Sequence, residues 1–222
     1  LVWPVAVSFT GVTLAAILVA GGRNTCDAGC STYGVLGTLA AGILALFSGN
    51  VLSMLVGWTA YDIFNAFARA CSGKSTRSTL QGLAFGCLST ALLWAGTLQG
   101  GTGLDLGLWT LIEPGVWQLT LWTIAGILRL NLYPPSFANP AATAGERPLD
   151  VPALMSGAMA WGLWIKVLVS VGGAVPQFKW LNTIAVSALG LGSFLAWSCR
   201  SQSRLTAWLP MGGTGAVLLA AT

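Results

Sequence analysis

Gly126-Ile127-Leu128-Arg129-Leu130-Asn131-Leu132-Tyr133-Pro134-Pro135-Ser136-Phe137-Ala138-Asn139-Pro140 sets an arginine inside a strongly apolar run and breaks that run at a double proline five residues later. A charge within a hydrocarbon-length helix is costly, so it faces a protein interior or a water path. A helix broken at membrane depth persists only where the protein satisfies the freed backbone groups. The pairing of the two features points to the interior of a transporter-like bundle rather than to a simple anchor.

Working outward, the composition sets the class. Of 222 residues, 7% are charged and 55% hydrophobic, and the mean hydropathy is +0.76. A soluble domain carries about 25% charged residues. Apolar runs near 2–20, 33–48, 51–70, 78–98, 114–132, 151–171, 181–199 and 205–222 approach the roughly 20 residues that cross a bilayer. Ser48-Gly49-Asn50 is the whole connection between the second and third, which makes them a tight helical hairpin. No segment alternates polar and apolar residues with period two, which removes a β-barrel. The expected fold is all-α: one polytopic transmembrane bundle over residues 1–222, of about eight spans, with one broken helix near Arg129–Pro140.

The net charge of +4 reads as a topology signal. With the N-terminus on the non-cytoplasmic side, one face receives Arg23, Arg69, Lys74, Arg77, Arg147, Arg200 and Arg204. The other receives Lys179, with the acidic Asp105 and Glu113. By the positive-inside rule the first face is cytoplasmic. These residues lie in short loops and form no continuous stripe, so nucleic acid is not a partner. Trp3, Trp109, Trp180 and Trp208 fall near span ends, where an aromatic belt anchors helices at the interface. The opening Leu-Val-Trp carries no basic n-region, which disfavours a signal peptide.

Cofactor chemistry finds little to use. The chain has no histidine, so neither imidazole ligation of haem or chlorophyll nor a His relay is available. Cys26 and Cys30 are a lone close pair on the reducing side, with neither a metal site nor a disulfide favoured. Cys71, Cys87 and Cys199 read as small packing residues. The glycines at 100–103 lack the following Lys-Ser/Thr of a phosphate loop. Gly82 and Gly86 have the spacing of close helix packing. No cofactor, no metal and no enzymatic activity of the chain's own are expected.

The order of landmarks resembles the antiporter-like, proton-translocating membrane subunits of respiratory complex I and of the multi-subunit sodium/proton antiporters. Their tight hairpin leads into a Gly-Trp-Glu helix, matched here by Gly57-Trp58-Thr59. The stretch from Ser75 to Gly82 leads into Leu88-Ser89-Thr90-Ala91-Leu92-Leu93 as the next family helix does. The family's broken helix, Gly-x-x-Lys-x-x-x-x-Pro-x-His-x-Trp-Leu-Pro, is matched in spacing by Gly126, Arg129, Pro134 and Pro140, with Ser136 and Ala138 at the His and Trp positions. Pro148 and Gly157 keep the spacing of the following segment, and Ser203-Arg204-Leu205-Thr206-Ala207-Trp208 resembles a later helix junction. The resemblance implies that 33–171 is the first of two inverted five-helix repeats and that 178–222 begins the second.

Three departures bear on function. In the family a glutamate after Gly-Trp pairs with the broken-helix lysine, and a second lysine follows in the next helix. The matching positions here are Thr59, Arg129 and Trp161. Threonine does not ionise, and arginine stays charged at any accessible pH. Asp62, three residues after Thr59 on nearly the same helical face, is placed to pair with Arg129. Lys166 lies five residues after Trp161, about 140° around the helix; it takes the second lysine's role only if the helix is rotated or bulged, and otherwise snorkels to a surface.

Three functional classes follow. The first is a degenerate subunit, a structural and assembly component of a larger membrane energy-transducing complex, partnered by other membrane subunits and lipid. The second is an active proton- or cation-translocating subunit using relocated charges at Asp62, Arg129 and Lys166. The third is a channel or transporter for a small neutral or anionic solute with Arg129 as its selectivity charge. The resemblance implies an energy-transducing membrane, either the bacterial inner membrane or its thylakoid or organelle equivalent.

Overall fold

The computed structural model describes residues 28–71, 76–99, 108, 114–129, 151–171, 179–198, 211–216 and 219. The helices are α1 (Ala28–Phe47), α2 (Val51–Cys71), α3 (Thr76–Gln99), α4 (Val116–Arg129), α5 (Val151–Ser170) and α6 (Lys179–Ser198), with further helical turns at 211–216. The all-α class holds: among the described residues the one β feature is an isolated bridge between Asn50 and Leu108. The helices fall on six of the expected apolar runs, and α1 starts ahead of its run, at Ala28. The expected span 2–20, most of 205–222, and the break at Pro134, Pro135 and Pro140 lie outside the described residues. Among the described residues two helices, Val51–Ala70 and Trp180–Ser198, are long and apolar enough to cross a membrane, against the about eight spans expected.

The α1–α2 hairpin is built from its turn. Ser48 Oγ donates to Ala45 O at 2.7 Å and closes the last turn of α1. Asn50 then caps α2, accepting from Ser53 N on its side-chain oxygen at 2.7 Å and from Met54 N on its carbonyl at 3.3 Å. The two helices meet backbone to backbone at Gly57, where a Cβ would stand 2.7 Å from Ala45 N. Any side chain there forces α1 and α2 apart.

Matched positions set the directions of the helices. Asp62 meets Gly86 and Thr90 while Thr59 meets Trp94, so α3 returns against α2. Ser89 Oγ donates to Ala125 O at 2.8 Å, and Gly96 lies under Trp122, so α4 returns against α3. Ser156 Oγ donates to Arg129 O at 3.0 Å, and Trp164 lies over Gly126, so α5 returns against α4. Gly42 faces Met155 and Gly162 faces Leu46, which lays α5 parallel to α1 and closes a ring of five helices.

Inside the ring Trp58, Tyr61, Leu93, Trp122, Met159 and Leu163 form a continuous apolar core. On its outside, Leu181, Ala185 and Ala188 of α6 pack with Met211 against Ile127 of α4 and Trp164 of α5. Arg129, the last described residue of α4, lies level with the middle of α2, where it meets Asp62. Cys87 does not pack as expected. Gly86, Ser89, Thr90 and Leu93 take the inward side of α3, and Cys87 turns outward beside Leu88 and is exposed.

Candidate functional site

Arg129 and Asp62 meet inside the ring. Arg129 Nη1 donates to Asp62 Oδ1, and Nη2 donates to Oδ2 at 2.9 Å, the two-pronged geometry that fits a guanidinium to a carboxylate. The two side chains are 3% and 10% exposed. Thr90 completes the group from α3: its hydroxyl donates to Asp62 Oδ2 and accepts from Arg129 Nη2 at 3.2 Å. Each oxygen of Asp62 is therefore engaged, and three helices are tied at one point.

The site is assembled from ordinary helix geometry. Trp58, Tyr61 and Asp62 occupy i, i+3 and i+4 of α2 and so share one face. The guanidinium carbon lies 4.7 Å from the Trp58 ring centroid and 5.1 Å from that of Tyr61. Stacking on two rings suits a weakly hydrated planar cation better than it suits an ammonium. Arg129 is the last described residue of α4. Its carbonyl accepts from the Ser156 hydroxyl of α5. On the opposite side Gly86 leaves room for the carboxylate: a Cβ there would lie 2.9 Å from Asp62 Oδ1 and 3.3 Å from Cγ.

Lys166 lies at another level of the bundle. Its Nζ donates to Ala45 O at 2.8 Å and to Ser48 Oγ, with the residue 7% exposed. It thus points inward at the end of α1 instead of snorkelling outward, and α5 reaches it as an uninterrupted α-helix. Ser156, at the level of Arg129, precedes Lys166 by ten residues, about 15 Å along α5. Leu55, Trp58, Met159 and Leu163 fill the layer between.

The replaced positions take ordinary roles. Thr59 Oγ1 donates to Leu55 O at 2.8 Å in its own helix and accepts from Trp94 Nε1 at 3.3 Å. Trp161 is half-buried on α5. Thr90, Trp58, Tyr61 and Gly86 complete the Arg129 site without having been assigned to it from sequence. The i, i+3, i+4 spacing from Trp58 to Asp62 is the one signal that reveals part of it, since only the packing of α3 brings in Thr90 and Gly86.

No protein-family model, curated protein or solved structure matches this chain.

Proposed function

We propose that the chain is a membrane subunit of the antiporter-like kind it resembles, in which a fixed charge pair stands where the family keeps its proton relay. On this reading it is a structural and assembly component of a larger membrane energy-transducing complex. The observation that carries it is the Asp62–Arg129–Thr90 group. A relay station must release its proton and its partner in turn, whereas this pair is two-pronged, stacked on Trp58 and Tyr61, and includes a cation that does not deprotonate. Both terminal nitrogens of the guanidinium are taken by Asp62 and Thr90, which leaves only the buried Nε without a hydrogen-bond partner and disposes the group poorly to select a solute.

The distribution of side chains supports a membrane setting. Asp62, Arg129 and Lys166 are turned inward, while Ile63, Phe64 and Phe67 on α2, Leu80 and Leu88 on α3, and Phe194 and Trp197 on α6 are exposed. Apolar outward faces with charges inside suit lipid as the surrounding solvent. The ring of five helices in alternating directions is compatible with 33–171 as one repeat of the family. About eight spans with a non-cytoplasmic N-terminus remain the topology this reading uses.

One observation favours the second reading, active translocation through Asp62, Arg129 and Lys166: Lys166 is buried inside the bundle rather than on its surface. The apolar layer between its level and that of Arg129 weighs against it. Proteoliposomes holding the purified chain distinguish the two. Under an imposed pH or sodium gradient, the structural reading expects ion flux equal to that of protein-free vesicles. Flux that disappears in an Asp62→Leu/Arg129→Met double variant overturns it.

A further inference from the structure

The C-terminal end of α1 has the form of an occupied cation site. A helix end presents carbonyl oxygens with no partner in the helix and carries the negative end of its dipole. Here Ser48 Oγ gives its proton to Ala45 O at 2.7 Å, so its lone pairs are free to face a positive group. The Lys166 ammonium takes that place, donating to Ala45 O at 2.8 Å and to Ser48 Oγ. Ser48 and Lys166 are 8% and 7% exposed, so the oxygens and the charge meet inside protein. One carbonyl and one hydroxyl oxygen at a helix C-terminus are the donor types that hold a small monovalent cation.

We propose that these oxygens form a monovalent-cation site and that Lys166 is its tethered occupant, an ammonium delivered by α5 in place of a free ion. The register that delivers it is set one turn earlier, where Gly162 lets α5 approach Leu46 of α1: a Cβ at 162 would lie 2.6 Å from Leu46 Cδ2. The same end of the bundle holds the Ser48–Asn50 turn and the bridge from Asn50 to Leu108. The tethered cation thus binds the α1–α2 hairpin to α5 near the point where Leu108 meets Asn50. This inference stands on the geometry of α1 and α5 and does not depend on whether the Asp62–Arg129 pair is static.

The test is chemical rescue. Lys166→Ala removes the ammonium and opens space at the same oxygens. The full-length variant, in nanodiscs with choline chloride, should melt roughly 5 °C or more below the wild type. Replacing choline by methylammonium or sodium at equal ionic strength should raise its Tm by about 3–5 °C with a saturable dependence, and leave the wild type unmoved. A Ser48→Ala/Lys166→Ala double variant should lose that rescue. Equal melting of the single variant in choline, methylammonium and sodium overturns the proposal, as does rescue that persists without Ser48. Should Lys166→Ala yield no folded protein in any of the three salts, Lys166→Met decides. It fills the volume without charge, so a clear loss of Tm upholds the site, and wild-type stability refutes it.

Discussion

Replacing Asp62 by leucine leaves Arg129 buried and charged with its two-pronged partner gone. The guanidinium side chain is 3% exposed and its carboxylate 10%, so solvent screens the pair little. Breaking such a pair by removing one member costs about 3–5 kcal/mol. For a chain of this length 1 kcal/mol moves Tm by roughly 2–4 °C, so Asp62→Leu should lower it by roughly 6–20 °C. Arg129→Met should also lower Tm, because it leaves the Asp62 carboxylate inside the bundle with the Thr90 hydroxyl in place of its two-pronged partner. The double variant removes both charges and keeps apolar volume, a change that is typically neutral or stabilising. Thermal unfolding of all four proteins in nanodiscs gives the cycle, with an expected coupling of about 3 kcal/mol. An Asp62→Leu variant within about 2 °C of wild type, or a double variant as damaged as that single one, would refute the reasoning.

Gly86→Val should approach Asp62→Leu in cost, since a Cβ at 86 already meets Asp62 Oδ1 at 2.9 Å, whereas Cys87→Val on the outward side should stay within about 0.5 kcal/mol of wild type; unfolding curves for the pair check the contrast. Thr90→Val removes a donor to Asp62 and an acceptor for Arg129, and is expected to cost about 1–3 kcal/mol, while Thr90→Ser, which keeps the hydroxyl, should recover most of it in the same melt. In a variant keeping Cys87 as its sole cysteine, a lipid-soluble maleimide should label the thiol in liposomes and a charged, membrane-impermeant reagent should not. Equal labelling by both would place that face of α3 in water and remove the membrane reading.

Different layers of information settled different parts of this protein. The apolar runs alone imply an all-helical chain, because backbone groups in an apolar stretch can satisfy each other locally only as helix. Ser48-Gly49-Asn50 marks the α1–α2 turn for an equally local reason: a serine that closes one helix, then an asparagine that caps the next. The pairing of Asp62 with Arg129 was also legible, as a carboxylate well inside one apolar run and an arginine inside another. A charge in such a setting needs a partner wherever the helices place it.

What the sequence left open depends on registers between helices, which no local pattern encodes. Thr90 joins the pair because Gly86 brings α3 against α2 one turn earlier. Cys87, next to that glycine, faces outward by the same 100° step. Lys166 had two positions open to it from sequence, inward or at the membrane surface. Packing decided between them: Gly162 seats α5 on Leu46, and the helix end beyond it presents Ala45 O and Ser48 Oγ to the ammonium. The sequence by itself determined which residues carry charge into an apolar bundle. Tertiary structure decided which oxygens meet each charge, because hydrogen bonds act over about 3 Å while helix propensity and hydropathy say nothing about relative register.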